Sequence, residues 1–209
     1  MNALLKALRR IATPVHSRLR RRKIRTFFEA LEPSRADTLL DVGGWLGADS
    51  EFSELYGFFP NMTSINLIET DHGHARFVRG DACAMPFESN SYDYVFSNAV
   101  IEHVGRYDRQ QMMADEIRRV ARKGYFVATP NRWFPIDPHS YLLFFHLMPL
   151  GVRRLMNPRD DYFMLSPAKM RSLFPEASVV LTPDGTSVIA IARLSGQVTA
   201  TRTAAAGAR

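Results

Sequence analysis

Short apolar runs alternate with longer mixed stretches along most of the chain. Five of these runs are rich in apolar, β-branched or aromatic residues and predict strands, at residues 38–42, 63–68, 76–79, 92–97 and 125–129. The clearest helical pattern covers residues 108–122, where the residues that face one way are Met112, Met113, Ile117 and Val120. Strands that alternate with helices predict a mostly parallel sheet with helices on both faces.

The remaining elements complete this α/β pattern. A basic helix is predicted over residues 17–31 and a short one over 49–56, and a later helix begins at Ser166 with Pro167 in its first turn. Two closing strands, 177–182 and 186–193, flank a tight Pro-Asp-Gly turn and are predicted to be antiparallel. Only eight residues, Glu69 to Arg76, join the second and third strands. Parallel crossovers usually need about a dozen or more residues, so we expect a loop there instead of a helix.

A glycine-rich turn follows the first predicted strand. The sequence from Leu39 to Gly47 is Leu-Leu-Asp-Val-Gly-Gly-Trp-Leu-Gly. Glycine tolerates positive φ and lets the backbone approach a ligand closely. The N-terminus of the helix that follows offers free N–H groups to a nucleotide-like ligand.

A second set of motifs strengthens this signal. The chain continues with Gly80-Asp81-Ala82, then Met85-Pro86-Phe87, and then the strand-like run from Tyr92 to Asn98. Together with the glycine turn, these segments resemble the class I S-adenosylmethionine-dependent methyltransferases, specifically the type 11 family, from about Thr38 to Asn131. The resemblance implies a Rossmann-like, seven-stranded, mostly parallel sheet with an antiparallel last strand. It also implies S-adenosyl-L-methionine as the cofactor.

The resemblance assigns cofactor-binding roles by position. The implied residues are Asp41 and Gly43 beside the methionine part, the turn from Gly44 to Gly47 around it, Asn66 at the ribose, Asp81 at the adenine amino group, the backbone N–H of Ala82 at the adenine ring, and Asn98 near the cofactor. Two positions depart from the family pattern. Trp45 stands where glycine is usual, so its ring either points away from the ligand or narrows the pocket. Asn66 replaces the usual acidic residue, so Asn66 itself binds the ribose, Glu69 takes over that role, or cofactor affinity is low.

A loop rich in aromatic and polar residues follows the fifth predicted strand. Residues 130–149 combine apolar residues with Asp137, His139 and Tyr141, a mixture that suits an acceptor pocket. His139 is the candidate general base, since histidine titrates near the working pH, and Asp137 is a candidate orienting partner. The alternative is an insert that packs across the end of the sheet. His103 resembles a family position that is more often structural, and no metal ligands are assigned.

The charge of the chain is unevenly distributed. Residues 1–25 carry nine Lys or Arg and no acidic residue, which leaves 18 basic against 21 acidic residues, or −3, for the rest. We expect a basic amphipathic helical arm over residues 1–33 that can meet an anionic membrane surface. A methyltransferase domain is expected over 34–194, with a substrate-loop insert at about 130–165, and a disordered tail over 195–209. A single cysteine, Cys83, and no apolar run of membrane-spanning length favour a cytoplasmic location, peripheral at the inner membrane surface.

The leading functional hypothesis is methyl transfer to a hydroxyl or similar group of a small-molecule or lipid- or sugar-linked acceptor. Two alternatives stay open: a cofactor-binding but inactive domain used as a binding module, and a nucleic-acid methyltransferase. Nucleic acid is not the favoured partner, because the body is mildly acidic and no recognised RNA-binding module is appended. An oxidoreductase is disfavoured, since the turn lacks the G-x-G-x-x-G spacing.

Overall fold

The structure is a computed structural model that describes residues 21–44, 53–69, 75–156 and 162–194. Its strands are β1 (Leu39–Val42), β2 (Met62–Asn66), β3 (Arg76–Arg79), β4 (Tyr92–Asn98), β5 (Ala121–Pro130), β6 (Ser178–Leu181) and β7 (Ser187–Arg193). Its helices are α1 (residues 21–31), α2 (Ser53–Phe58), α3 (Tyr107–Val120), α4 (Leu150–Met156) and α5 (Pro167–Leu173), with a 3₁₀ turn at Phe145–Leu147.

The seven strands form one sheet in the order β3-β2-β1-β4-β5-β7-β6. Strands β1 to β5 run parallel to one another, whereas β7 runs antiparallel to both β5 and β6. This arrangement confirms the predicted fold class, including the antiparallel last strand. The chain order reverses at β1, where β4 lies on the opposite side from β2, and open parallel sheets bind ligands at such a point.

Helices cover both faces of the sheet. On one face, α3 and α5 bury Met113, Ile117 and Met170 against the strands. On the other face, α1 and α2 bury Phe27 and Leu55. Phe27 has no exposed surface and meets five described rings edge-on, at centroid distances of 5.5–6.1 Å: those of Phe28, Phe59, Tyr94, Phe96 and Phe126. Edge-to-face pairs of this kind add to the burial energy, so α1 is part of the main core.

Several predicted boundaries are wrong by a few residues. Helix α3 ends at Val120 and β5 begins at Ala121, although helix was predicted through Arg122. The cause is tertiary: Arg122 and Lys123 pair with Asp93 at 2.7 and 3.0 Å, which holds them in an extended strand beside β4. Met112, predicted on the buried face of α3, is 46% exposed.

The connection between β2 and β3 is non-helical in the part that the structure describes, residues 67–69 and 75. The rest of this connection, the first half of the predicted helix at 49–56 and the basic residues 1–20 lie outside the described residues. Among the residues that are described, none of the helices is long and apolar enough to cross a membrane.

The segment between β5 and α5 crosses the carboxyl edge of the sheet. Its ends meet in a bridge between Asn131 and Leu165, and the backbone N–H of Arg132 donates to Leu165 at 3.0 Å. A second bridge joins Ile136 to Leu143. The predicted insert is therefore a folded loop beside the strand ends, where a ligand crevice is expected.

Candidate active site

The predicted cofactor residues come together at the carboxyl edge of the sheet. Asp41 lies in β1, between Ser64 of β2 and Phe96 of β4. Asn66 and Asn98 are the last residues of β2 and β4. Each of these strands therefore contributes a polar side chain near the point where the strand order reverses.

The glycine turn after β1 requires residues without a side chain. Gly43 has a φ of +76°, and a Cβ there would lie 2.5 Å from a methyl group of Val100. A Cβ on Gly44 would lie 2.0 Å from Oδ2 of Asp41. Both contacts are closer than atoms allow, so the backbone approaches Val100 at Gly43 and Asp41 at Gly44 only because these residues have no side chain. Gly47 and Trp45 lie outside the described residues.

Asp41 is buried, and among the described residues Tyr56 supplies the side-chain hydrogen bond that favours its charged form. Tyr56 Oη donates to its Oδ2 at 2.8 Å, and 2% of the residue is exposed. Burial raises the pKa of Asp41 to about 7 and the Tyr56 bond lowers it only in part. Nearby, Ser64 Oγ makes no hydrogen bond to the described part of the chain. A buried carboxylate beside a hydroxyl that has no hydrogen-bond partner among the described residues suits a ligand that carries positive charge and polar groups, as S-adenosylmethionine does.

Asn66 uses its amide to hold the glycine turn. Its Nδ2 donates to the carbonyl oxygen of Gly44 at 3.2 Å, and its Oδ1 lies 3.5 Å from the backbone nitrogen of Ile68. An aspartate could not donate to Gly44 in this way. The amide therefore has a structural task here, besides the ribose contact that the resemblance implies.

Asp81 is ionised and paired. Arg109 Nη2 lies 2.7 Å from Asp81 Oδ2, and the backbone N–H of Cys83 donates to Oδ1 at 2.9 Å. These bonds, that of Arg109 above all, hold the pKa of Asp81 below its usual value. A carboxylate offers about four acceptor sites, so Asp81 keeps capacity for a further donor. Its neighbour Ala82 packs at the edge of the core.

Asn98 ends β4 next to a buried lysine. Lys23 Nζ, from α1, donates to Asn98 Oδ1 at 3.0 Å, and Lys23 is 8% exposed. Ala99 follows with a φ of +58°, which turns the chain sharply after the strand. A basic residue of the N-terminal segment therefore reaches the carboxyl edge of the sheet.

Two histidines meet beside this edge, one from each of two loops. His103 Nε2 and His139 Nε2 are 3.2 Å apart, and the His139 ring stacks on Tyr162 at a centroid distance of 4.0 Å. Below them, Glu102 has no exposed surface and accepts a hydrogen bond from Thr129 Oγ1 at 2.8 Å. Its Oε1 lies 4.0 Å from His103 Nε2. Burial raises the pKa of Glu102.

Asp137 organises the loop that carries His139. Its Oδ1 accepts the backbone N–H groups of His139 and Ser140 at 2.9 and 2.7 Å, and its Oδ2 accepts from Tyr162 Oη at 2.5 Å. Burial alone would raise the pKa of Asp137, but these bonds outweigh it and hold the pKa low. Asp137 thus holds the backbone of His139 through a hydrogen bond to its N–H. The Nε2 atom of the His139 ring faces the His103 ring.

Sequence analysis did not find four of these residues. Glu102, Lys23, Arg109 and Tyr162 each make a polar contact at the site from a separate part of the chain. One sequence signal was the adjacent pair Glu102-His103 in the segment that follows β4, where ligand crevices lie.

Comparisons with known proteins agree with this geometry. The family model described as a methyltransferase domain, type 11, matches residues 45–128. Demethylmenaquinone methyltransferase of Staphylococcus haemolyticus is 27% identical over 155 residues, 68% of this chain and 63% of that protein. The chain thus spans less than two thirds of the length of this relative.

Solved structures show the same fold. A protein from Pyrococcus horikoshii matches with a TM-score of 0.57 and 14% identity, over 92% of each chain. The N-methyltransferase NodS from Bradyrhizobium japonicum, in complex with S-adenosyl-L-homocysteine, matches with a TM-score of 0.56 and 11% identity, over 84% of this chain and 87% of that one. The motifs, the sheet and these matches agree: residues 45–128 match the type 11 methyltransferase domain, and the chain has the fold of S-adenosylmethionine-dependent methyltransferases.

Proposed function

We propose that the protein transfers a methyl group from S-adenosylmethionine to a hydroxyl or similar group of a small apolar or lipid-linked acceptor. The observation that carries this proposal is the His103–His139 pair, in which a histidine of the segment after β4 meets a histidine of the insert. A proton-accepting group is thereby available on the side where an acceptor would enter.

The cofactor side of the proposal rests on the strand ends. When bound, S-adenosylmethionine supplies an electrophilic methyl group on a positively charged sulfur. Asp41 and the turn from Gly44 to Gly47 would hold its methionine part, and Asn66 its ribose. Asp81 and Ala82 would hold the adenine, with Asn98 close by. The buried Asp41 carboxylate supports this assignment, because a nearby cation favours its charged form.

The acceptor side rests on His139. A hydroxyl becomes a good nucleophile only when its proton is removed, and one neutral imidazole of the pair has a lone pair for that proton. Asp137 and the Tyr162 ring fix the position of His139, so little reorganisation is needed. We assign His139 as the general base and His103 as the partner that shares its proton.

The acceptor class follows from the surface of the insert. Five apolar side chains within 142–148 are between 40% and 65% exposed: Leu142, Leu143, Phe144, Leu147 and Met148. Exposed apolar patches of this kind mark binding surfaces for apolar ligands or membranes. The relatives named demethylmenaquinone methyltransferase support an apolar, lipid-linked acceptor, and demethylmenaquinone is therefore the first compound to test.

The experiment uses purified full-length protein with methyl-labelled S-adenosylmethionine. Binding is measured first: S-adenosylmethionine and S-adenosylhomocysteine should raise the melting temperature, whereas NAD should not. Demethylmenaquinone, small hydroxylated lipids and an extract of the protein's own cells are then offered as acceptors. We expect label in an apolar product.

A His139→Ala variant tests the role of the base. It should bind S-adenosylmethionine normally and turn over at least about 100-fold more slowly, the lower end for lost acid–base catalysis. Normal turnover in this variant would remove His139 from the mechanism.

A second candidate function is a cofactor-binding module without activity. The Asn66–Gly44 hydrogen bond favours it, because the amide nitrogen is used in the glycine turn and a single amide oxygen is left to accept from the ribose, where the family usually has a carboxylate. Cofactor binding without label transfer to any acceptor or extract would select this candidate.

A further inference from the structure

We propose that Glu102, His103 and His139 form a binding site for a divalent transition-metal cation, with zinc as the best chemical fit. Among the described residues these three offer ligand atoms that all lie within 4.8 Å of one another. Two imidazoles and one carboxylate are a ligand set that zinc favours. The proposal is independent of methyl transfer, since it concerns the binding of an ion to three side chains.

The spacing of the nitrogen atoms suits one central ion. With Zn–N bonds of about 2.0–2.1 Å, two ligands of a tetrahedral ion lie about 3.3 Å apart. The two Nε2 atoms of His103 and His139 are 3.2 Å apart. Glu102 Oε1 is 4.0 Å from His103 Nε2, so the carboxylate has to move closer to the histidines to bind the same ion.

The buried carboxylate is an independent observation that points to a ligand. Glu102 has no exposed surface, and its Oε1 makes no hydrogen bond to any described residue. A buried polar atom without a partner is costly, and native proteins usually satisfy it. Thr129 holds the other oxygen, Oε2, at 2.8 Å and leaves Oε1 on the side of the histidines. A cation between these groups would satisfy Oε1.

Both histidines are held in place from outside the cluster. The backbone N–H of His103 donates to Val100 at 2.8 Å, and the backbone N–H of His139 donates to Asp137 at 2.9 Å. His103 and Glu102 follow β4, whereas His139 belongs to the insert. A bound ion would therefore tie the insert to the strand end. Both histidines are also exposed enough to admit an ion from solvent.

Three protein ligands leave one position of a tetrahedral ion open, which is the pattern of zinc sites that take a water or a substrate oxygen. An ion here would occupy the Nε2 lone pair of His139. The proton-transfer role proposed above consequently belongs to the protein without a bound cation. Metal binding is therefore measured without cofactor or acceptor, so that its result does not depend on methyl transfer.

The test is a titration of tag-free, full-length protein that has been freed of metal with a chelator. Zn²⁺ is titrated by calorimetry, and Co²⁺ is added separately because its visible absorption reports tetrahedral nitrogen and oxygen ligands. We expect one site per chain and a Co²⁺ spectrum of tetrahedral type. His103→Ala and His139→Ala change exposed side chains, and each should weaken binding at least tenfold. Glu102→Gln should do the same if the variant folds.

The matched control removes two histidines outside the proposed site, His72 and His74, which lie two positions apart in the sequence. A His72→Ala/His74→Ala double variant should bind Zn²⁺ like the unchanged protein. Three results would overturn the proposal: no stoichiometric binding, binding unaffected by His103→Ala and His139→Ala, or binding lost in the His72/His74 variant.

Discussion

At the residue scale, the buried carboxyl group of Asp41 lowers the stability of the ligand-free protein when it is charged. Its carboxyl group is buried, which raises its pKa from 3.8 to about 7. The folded protein then binds the Asp41 proton more tightly than the unfolded chain does. The associated stability is complete below about pH 4 and is lost as the pH rises towards 7. Above that range the folded protein holds a buried charge.

Asp41→Asn should therefore stabilise the ligand-free protein above pH 7, because the amide has no charge to bury and still accepts from Tyr56. The gain should shrink as the pH falls from 7 towards 5. The same variant should bind S-adenosylmethionine more weakly, since the charge beside the ligand is gone. Denaturant unfolding from pH 5 to 8 and calorimetry measure the two effects. Parallel pH profiles of the two proteins would show that Asp41 does not titrate in this range.

Asp81 provides the second residue-scale prediction. Asp81→Ala should cost about 1–3 kcal/mol of S-adenosylmethionine binding, because the adenine amino group loses its acceptor. Stability should change little, since the Asp81 and Arg109 side chains are 35% and 39% exposed. The matched control is Arg109→Gln, which breaks the ion pair and keeps the carboxylate. Wild-type affinity in Asp81→Ala, or equal losses in both variants, would contradict the adenine role.

The sequence motifs predict which strand ends carry the site, but not the contacts between them. Asp41, Asn66, Asp81 and Asn98 reach one edge because parallel strands all end there. The Lys23–Asn98 hydrogen bond joins residues 75 positions apart. Such a contact depends on how α1 packs across the sheet, which no local pattern encodes.

At the element scale, the existence and order of the strands are predicted better than the boundaries of the elements. β3 matches its predicted bounds, because a turn or loop limits the run on each side. The end of α3 was wrong, because the pairing of Arg122 and Lys123 with Asp93 overrides local helix preference. A boundary that depends on ion pairs between distant residues cannot be predicted from the local sequence pattern.

The insert between β5 and α5 yields an element-scale prediction. Asp137→Ala should loosen residues 131–156, because it leaves two backbone N–H groups and the Tyr162 hydroxyl without their acceptor. Each buried group left unsatisfied costs about 1–3 kcal/mol. Tyr162→Phe removes a single donor and should have a smaller effect. Amide hydrogen exchange measures both, with α3 as internal reference. Unchanged protection of the insert in Asp137→Ala would show that Asp137 does not hold the loop.

At the scale of the whole molecule, the N-terminal segment has two parts with different roles. From residue 21 onward it forms α1, whose Ile24, Phe27 and Leu31 are buried against the sheet. Residues 1–20 lie outside the described residues, and their sequence carries five Lys or Arg and no acidic residue. The predicted boundary of the arm at residue 33 stays a prediction, although α1 shares the main core.

A deletion that tests the arm must therefore stop before Arg21, since a chain that begins at Thr26 would lose Ile24 and the Lys23–Asn98 bond.

Membrane association is the prediction that belongs to this scale. Each Lys or Arg near an anionic surface contributes about 1 kcal/mol, and the apolar stripe of Leu4, Leu5, Leu8 and Ile11 adds hydrophobic anchoring. Full-length protein should float with anionic vesicles at low salt and be released at high salt, where the charges are screened. A chain that begins at Arg21 should stay in the soluble fraction, with neutral vesicles as the control. If both chains float equally, the exposed apolar residues 142–148 are the better candidate for the membrane contact. If neither chain floats, residues 1–20 have another role, and a lipid-linked acceptor must reach the site from solution.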